Sequence, residues 1–350
     1  MKVFKNVVIF IGVLFAIFLS YLGGVILFAA IFDYKPENVE NVKICEKATG
    51  VLNKNTLTIF DWNIGYAGLG KDMDFFLDGG KNAIVPSKLV GEYLNGILEV
   101  LREKRADIYL FQEIDVKSWR THYVNQLEFL KQIGDYDIAF AYNYKVLFVP
   151  VPYLNPMGKV EAGLATFSKY KIDEAKRYSL PGEYSWPTKL FQLDRCLLLT
   201  RIRTLNNKEL VLLNIHPSAY DKGGVLREKQ LKFIMKLAKN EYEKGNYVVI
   251  GGDWNSEFYS EKLFGYTEEK PEAYIKLPEL FKLNGWKWGI SKNAPTNRSI
   301  SAPYVKGETF VTVIDGFYVS PNIEILEVEN LDLGFEYSDH NPVVMKIMLK

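Results

Sequence analysis

A run of 26 residues without a charged side chain, at positions 7–32, lies near the start of this 350-residue chain. A helix rises about 1.5 Å per residue, so about 20 apolar residues cross the hydrocarbon core of a bilayer. The apolar core of a cleaved signal peptide usually has about 7–15 residues, and this run is longer. We therefore predict one uncleaved transmembrane helix at 7–32, with the lipid bilayer as its partner.

The charges beside this run predict its orientation. Two lysines precede it, and two acidic residues and Lys35 follow it. The excess of positive charge on the cytoplasmic side of membrane helices places residues 1–6 in the cytoplasm. Residues 33–55 are polar and are predicted to be a tether. We expect a membrane protein with a single span and an extracytoplasmic domain at 56–350.

The composition limits what that domain is. The chain is 48% hydrophobic and 24% charged, with 22 Tyr and 22 Phe, which excludes a disordered chain and a multispan membrane protein. A net charge of +1 excludes binding of polyanions through bulk charge. Two cysteines, Cys45 and Cys196, exclude a disulfide framework and a four-thiolate zinc site. A single disulfide between them and two free thiols are both compatible with the sequence.

Short apolar runs from Thr56 onward predict strands that alternate with only two clear helices. Apolar residues at helical spacing predict these helices at 86–105 and 226–242. Residues 206–208, Asn-Asn-Lys, predict a hairpin between two strands. The helices are too few for a strictly alternating parallel sheet. We therefore predict an α+β fold with two packed sheets, outer helices, and loops over much of 260–310.

Polar side chains recur where these apolar strands end. If the strands lie side by side, their ends meet at one edge, and carboxylate, amide and imidazole groups with few thiols suit Mg²⁺ or Mn²⁺. A single Asn or Asp at such a position is more often a turn former or a helix cap. A carboxylate within an apolar run is costly to bury, however. Two of the three histidines also stand at the ends of apolar strands. The residues are Asn63, Glu113, His216, Asp253, Asn255, Asp315, Asp339 and His340.

These motifs together resemble the endonuclease/exonuclease/phosphatase superfamily. The motifs are "DWNIG", "LFQEID", "LNIHPS", "GGDWNSEF", "VIDGFYVS" and "YSDHNPV", and they span residues 56–350. The resemblance implies a four-layer α/β/β/α sandwich of two mixed sheets and a hydrolase of phosphoric esters. It also implies Mg²⁺ or Mn²⁺ as the cofactor. Whether one metal ion or two act stays open.

The resemblance implies roles for single residues. Asn63 and Glu113 correspond to metal ligands, and Asp339 adds to the metal shell. Asp253 corresponds to the group that orients or deprotonates the attacking water, and therefore has to be ionised.

The remaining residues correspond to phosphate contacts. Asn255 would contact a nonbridging oxygen, and His340, held by Asp315, would contact the scissile phosphate. His216 stands where some members have a second phosphate-facing histidine and others a tyrosine.

Two features depart from known branches of this superfamily. Some DNA-repair members have an aspartate two residues after the metal-binding asparagine, where this chain has Gly65. Phosphoinositide 5-phosphatases have a "WxDR" element before "SDH", whereas Asp194-Arg195 here lacks the tryptophan and precedes His216. We interpret that pair as part of a strand. The glycine-rich, aromatic stretch 65–81 is expected to be a loop at the rim of the site. It either contributes to substrate specificity or is a surface loop without a functional role.

Three functions remain compatible with the sequence. A nuclease, slightly favoured, would act on nucleic acid outside the membrane. A sphingomyelinase-like phospholipid phosphodiesterase or a lipid phosphatase would act on lipid headgroups near the anchor. A non-catalytic binding module would keep the fold without turnover. No protein partner is inferred.

Overall fold

The computed structural model describes residues 1–259, 263–278 and 281–350. In these residues the apolar N-terminal run forms an α-helix, and the rest folds into strands with three further α-helices. The helices are α1 Lys2–Ile31, α2 Ser87–Glu103, α3 Gln126–Leu130 and α4 Val225–Glu243. The strands are β1 Val39–Asn41, β2 Ile44–Cys45, β3 Thr56–Asn63, β4 Ile108–Asp115, β5 Asp137–Val149, β6 Gly158–Ser168, β7 Glu174–Ser179, β8 Cys196–Arg203, β9 Glu209–Ile215, β10 Tyr247–Asp253, β11 Lys287–Gly289, β12 Asn297–Arg298, β13 Val311–Thr312, β14 Asp315–Val319, β15 Ile323–Asn330 and β16 Val343–Leu349.

The strands form two mixed seven-stranded sheets and a short β12–β13 ribbon. The first sheet has the order β1-β7-β8-β9-β10-β14-β11, and the second has the order β15-β16-β3-β4-β6-β5-β2. Each contains one parallel pair, β9 with β10 and β3 with β4, and the other pairs are antiparallel. The carboxyl ends of both parallel pairs carry predicted functional residues, which explains why those residues can meet.

The sheets pack face to face around an apolar core, and the helices cover the outer faces. Ile59 and Leu110 of one sheet and Leu212 and Val249 of the other are fully buried in this central layer. A second cluster packs under α2, and a third packs under α4. The predicted four-layer α/β/β/α sandwich is confirmed.

Most of the predicted elements are present. The helices α2 and α4 lie where helical spacing predicted them, and residues 204–208 form the turn of the predicted β8–β9 hairpin. The described residues between 260 and 310 contain only two short strands and are otherwise loops; residues 260–262 and 279–280 lie outside the description.

The segment predicted as a tether is partly built into the sheets. The strand β1 pairs with β7 at the edge of the first sheet, and β2 pairs with β5 at the edge of the second. The apolar pattern could not reveal them, because these short edge strands in a polar segment are held by backbone hydrogen bonds. Residues 33–55 are therefore not a free linker.

The helix α1 projects from the sandwich with its side chains exposed. It is long and apolar enough to cross a membrane, and none of its most apolar stretch is buried. The end of the helix reaches the sandwich, where Phe28, Ala29 and Phe32 lie beside Phe148 of β5 and beside Leu190.

Candidate active site

The strand pairings bring all eight predicted residues to one edge of the sandwich. Asp253, the last residue of β10, pairs directly with Asp315, the first residue of β14. His216 directly follows β9, the parallel neighbour of β10. Asn63 ends β3 opposite Gln112, next to Glu113 in β4. Asp339 and His340 lie in the turn before β16, which pairs with β3. Asn255 follows Asp253 in a tight turn.

His340 is held by a buried carboxylate. Its Nδ1 lies 2.8 Å from Asp315 Oδ2, and its Nε2 lies 3.7 Å from Asp253 Oδ2. Burial alone would lower the pKa of His340, but the negative charges of Asp315, Asp253 and Asp339 raise it well above its usual value. The ring is therefore oriented and charged, as a group that binds an anion should be.

His216 has the opposite electrostatic character. Its Nε2 lies 3.5 Å from Asp253 Oδ2 and 3.9 Å from Glu113 Oε1. Burial, with the positive charges of Arg195 and His340, lowers the pKa of His216 well below its usual value. A neutral imidazole and a charged one therefore stand on either side of the Asp253 carboxylate.

Asp253 is fixed by the turn that follows it. Its Oδ1 accepts a hydrogen bond from the Asn255 backbone N–H (2.8 Å), and its Oδ2 accepts one from Asn63 Nδ2 (3.1 Å). Asn255 adopts a left-handed conformation with φ 48°, and its Nδ2 donates to the Pro217 carbonyl. The carboxamide nitrogen of Asn255 is therefore hydrogen-bonded to the backbone in this structure.

A bulge directs Glu113 into the site. The pairing of β4 with β6 shifts register between Phe111 and Ile114, and Glu113 lies in this shift with φ 56°. Bulges of this kind redirect a side chain out of the regular alternation. The Glu113 side chain is 26% exposed, so the strand does not bury this carboxylate in the core.

The carboxylates at this edge lack basic partners other than histidine. Among the described residues, no lysine or arginine forms a salt bridge with Glu113, Asp253, Asp315 or Asp339. Burial and the nearby charge of Glu113 raise the pKa of Asp339 to about 7. Clustered oxygen ligands without lysine or arginine partners and without a thiolate fit a hard divalent cation.

Two observations bear on which residues would hold that cation. Asn63 donates through Nδ2 to Glu113 Oε1 (3.3 Å), so its oxygen would face a cation only after the carboxamide rotates. The His, Asp and Glu ligand atoms that lie within 4.8 Å of one another belong to Asp253, Asp315 and His340. Both oxygens of Asp315 contact His340, however, so we assign Asp315 to the histidine.

Gly65 is required by the close approach of a neighbouring carboxylate. It has φ 49°, and a Cβ atom at this position would lie 2.6 Å from Asp339 Oδ1. The aspartate that some DNA-repair members carry here would therefore collide with Asp339.

A cavity of about 180 Å³ opens beside these residues. The predicted rim loop contributes Phe75, Phe76 and Leu77 to its walls, so that loop does lie at the site. The apolar Val149, Val151, Met157, Phe191 and Leu193 also line it, together with the polar Asn143 and Gln192. The cavity therefore has a polar floor and mostly apolar walls.

Polar residues of the cavity were missed in the sequence, among them two that contact the site histidines, Arg195 and Asn297. Arg195, interpreted as part of a strand, lies directly before β8 and donates to the His216 carbonyl (3.2 Å). Asn297 contacts His340 Nε2 through its carboxamide (2.9 Å). A basic residue between two apolar segments was a usable signal for Arg195, whereas nothing local distinguishes Asn297.

The comparison with known proteins decides the family. The pattern of the Endonuclease/Exonuclease/phosphatase family matches residues 62–340, which contain all eight site residues. The chain belongs to this family. No curated protein is significantly similar to the sequence.

Solved structures show the same family fold at low sequence identity. A family protein from Beutenbergia cavernae DSM 12333 is 17% identical, with 85% of this chain and 72% of that chain covered and a TM-score of 0.55. One from Bacteroides vulgatus is 16% identical; the match covers 85% of this chain and 100% of that chain, with a TM-score of 0.53. The 2',3'-cyclic phosphatase ANGEL2, in complex with adenosine-2',3'-vanadate, is 14% identical. This match covers 89% of this chain and 99% of that chain, with a TM-score of 0.56. At these identities the likeness establishes the fold.

Proposed function

We propose that this protein is a membrane-anchored, divalent-metal-dependent phosphoester hydrolase that acts on phosphodiesters. The observation that carries the proposal is the position of Asp253. Its Oδ2 accepts from Asn63 and lies 3.5 Å from His216 and 3.7 Å from His340, which leaves an anionic group facing two imidazoles. Hydrolysis of a phosphate ester requires a positioned water and donors on the phosphate oxygens, which such an arrangement supplies.

In this proposal Asp253 orients and deprotonates the attacking water. His340, held by Asp315, and neutral His216 contact the phosphate oxygens, and Asn255 contacts a nonbridging oxygen. Glu113, Asn63 and Asp339 would hold Mg²⁺ or Mn²⁺, which supplies positive charge to the phosphate when bound. The carboxylates without basic partners support that ligand set.

The lining of the cavity argues against the nuclease function that the sequence slightly favoured. A groove for nucleic acid needs lysines and arginines for the phosphates. Among the described residues no lysine lines the cavity, and Arg120 is paired with Asp115 (2.9 Å), which leaves Arg195. The apolar walls favour a phosphoester that carries an apolar group.

The proposal is tested with the full chain in detergent. We expect hydrolysis of a water-soluble phosphodiester, bis-p-nitrophenyl phosphate, in Mg²⁺ or Mn²⁺ and none in EDTA. The Asp253→Asn variant should lose the activity by about 10²-fold or more, because the general base is gone. If plasmid DNA, RNA, phospholipids and the soluble ester all survive in Mg²⁺, Mn²⁺ and Ca²⁺, the hydrolase proposal is wrong and the binding module is favoured.

A further inference from the structure

Two segments of the sandwich, residues 145–157 and 186–193, lie between the anchor helix and the active-site cavity. The last turn of α1 packs on Leu147 and Phe148 of the first segment and on Leu190 of the second. A membrane helix cannot leave the bilayer far from where its last apolar turn ends. A membrane around α1 would therefore have its surface close to these segments.

The same two segments form the apolar wall of the cavity. Val149, Val151 and Met157 come from the first segment, and Phe191 and Leu193 come from the second. Phe148, which contacts α1, and Val149, which lines the cavity, are consecutive residues of β5. The anchor contact and the cavity wall are thus two sides of one thin layer of protein.

Three large apolar side chains of these two segments are strongly exposed. Tyr153 is 70% exposed, Leu154 is fully exposed and Trp186 is 63% exposed. Residues 145–160 contain no acidic side chain. Large apolar side chains at such exposure mark an interaction surface, and Tyr and Trp are enriched at the membrane–water interface.

We propose that Tyr153, Leu154 and Trp186 insert into the bilayer beside α1, and that the substrate is a phosphodiester of a membrane lipid. Its apolar part would lie along Val149, Val151, Met157, Phe191 and Leu193, and its phosphate would reach Asp253 and His340. The membrane contact stands on exposure and on the packing of α1. The choice of a lipid substrate rests on the proposed hydrolase function.

The membrane contact is tested without reference to activity. A nitroxide is attached to Leu154→Cys in the full chain in phosphatidylcholine vesicles, and Leu205→Cys is the matched control. Leu205 is also 70% exposed, but it lies in the β8–β9 turn, at the opposite edge from the site. A Cys45→Ser background removes the more accessible thiol; burial raises the pKa of Cys196 to about 11, which keeps it unreactive.

The nitroxides at positions 154 and 205 should differ in their accessibility to oxygen and to a water-soluble nickel chelate. We expect the label at 154 to be accessible to oxygen and shielded from a water-soluble nickel chelate, because oxygen concentrates in the bilayer. The label at 205 should show the reverse. Equal accessibility of both labels to the nickel chelate would overturn the membrane contact.

The substrate is tested with vesicles of sphingomyelin and of phosphatidylglycerol, scored by release of the water-soluble product. The double variant Tyr153→Ser/Leu154→Ser should lower lipid hydrolysis by about tenfold and leave bis-p-nitrophenyl phosphate hydrolysis unchanged, because only the membrane contact is lost. Leu205→Ser should change neither rate. Hydrolysis of the soluble ester or of nucleic acid without lipid hydrolysis would overturn the lipid substrate while the proposed hydrolase function stands. Hydrolysis of no substrate would contradict both.

Discussion

His340 Nδ1 lies 2.8 Å from Asp315 Oδ2 and 3.0 Å from Oδ1, although 25 residues separate the two in sequence. Asp315 begins β14, and His340 lies in the turn before β16, so the pair joins the two sheets at the site edge. A buried carboxylate that faces one ring nitrogen fixes the orientation of the ring. The other ring nitrogen, Nε2, lies 2.9 Å from the Asn297 carboxamide nitrogen and faces the site. The packing of the sheets thereby orients His340.

Replacing Asp315 by Asn should therefore impair turnover more than folding. The Asp315→Asn side chain fits the same space but lacks the charge that keeps His340 protonated. We expect kcat to fall by about 10²–10³-fold, as when a preorganised donor is lost. The exposed Asp135→Asn change is the control. Steady-state rates and melting temperatures check this; an unchanged kcat would contradict the role of Asp315 in positioning.

Glu113 should determine the affinity for metal. Removal of divalent cations with EDTA should abolish hydrolysis, and Mg²⁺ or Mn²⁺ should restore it. Glu113→Gln should raise the Mn²⁺ concentration for half-maximal binding by at least about tenfold, because one charged oxygen ligand is lost. Titration calorimetry measures this without turnover. Glu99→Gln, on the exposed face of α2, should bind as the unchanged protein does; equal affinities in both variants would remove Glu113 from the ligand set.

Arg195 should contribute to substrate binding. It lines the cavity, and among the described residues its guanidinium forms no salt bridge with a carboxylate. Arg195→Met should raise KM for a phosphodiester by about tenfold, since a hydrogen bond to a charged group is lost. Arg203→Met is the control, because Arg203 lies at the other end of β8 with a 71% exposed side chain. A lower melting temperature with an unchanged KM would indicate a purely structural role.

Asp61 should be neutral in the folded protein. It is fully buried between the sheets, with Oδ1 accepting from Gln112 Nε2 (2.9 Å), and burial followed by the charge of Asp315 raises its pKa well above 3.8. A raised acid pKa stabilises the fold below the unfolded pKa, and this contribution is lost as pH rises through the folded pKa. Asp61→Asn should therefore lose less stability than the wild type as the pH rises above 3.8. Denaturant melts at several pH values measure this; a parallel loss in both proteins would show Asp61 to be ionised.

Glu241 should make the fold sensitive to acid. Arg201 donates to both its oxygens, at 2.7 and 2.8 Å. Burial alone would raise the pKa of Glu241, but the hydrogen bonds from Arg201 and Lys244 outweigh it and lower the pKa to about 2. A lowered acid pKa stabilises the fold above the unfolded pKa, and this contribution is lost as pH falls through the folded pKa.

Glu241→Gln should therefore be less stable than the wild type at pH 7, by about 2 kcal/mol. The difference should shrink as pH falls from about 4.5 towards 2. The exposed Glu243→Gln change on the same helix should have little effect. Thermal or urea melts across this range check the result, and a constant difference would mean that the pair does not titrate as described.

The sequence by itself determined the features that depend on local pattern. An uncharged run predicted α1, helical spacing predicted α2 and α4, and apolar strands that end on polar residues predicted the site. These signals are visible because burial of one face makes apolar residues recur at a spacing that is characteristic of each helix or strand. The motif order then indicated the family and its layered fold.

Only the tertiary structure decided which distant groups meet. The edge strands β1 and β2, the contact of Asn297 with His340 and the place of Arg195 beside His216 follow from pairing between separate parts of the chain. The bulge that directs Glu113 into the site is likewise a property of the β4–β6 pair. Such contacts are selected by the shared packing of two sheets, and the free energy of that packing is not encoded in any single segment.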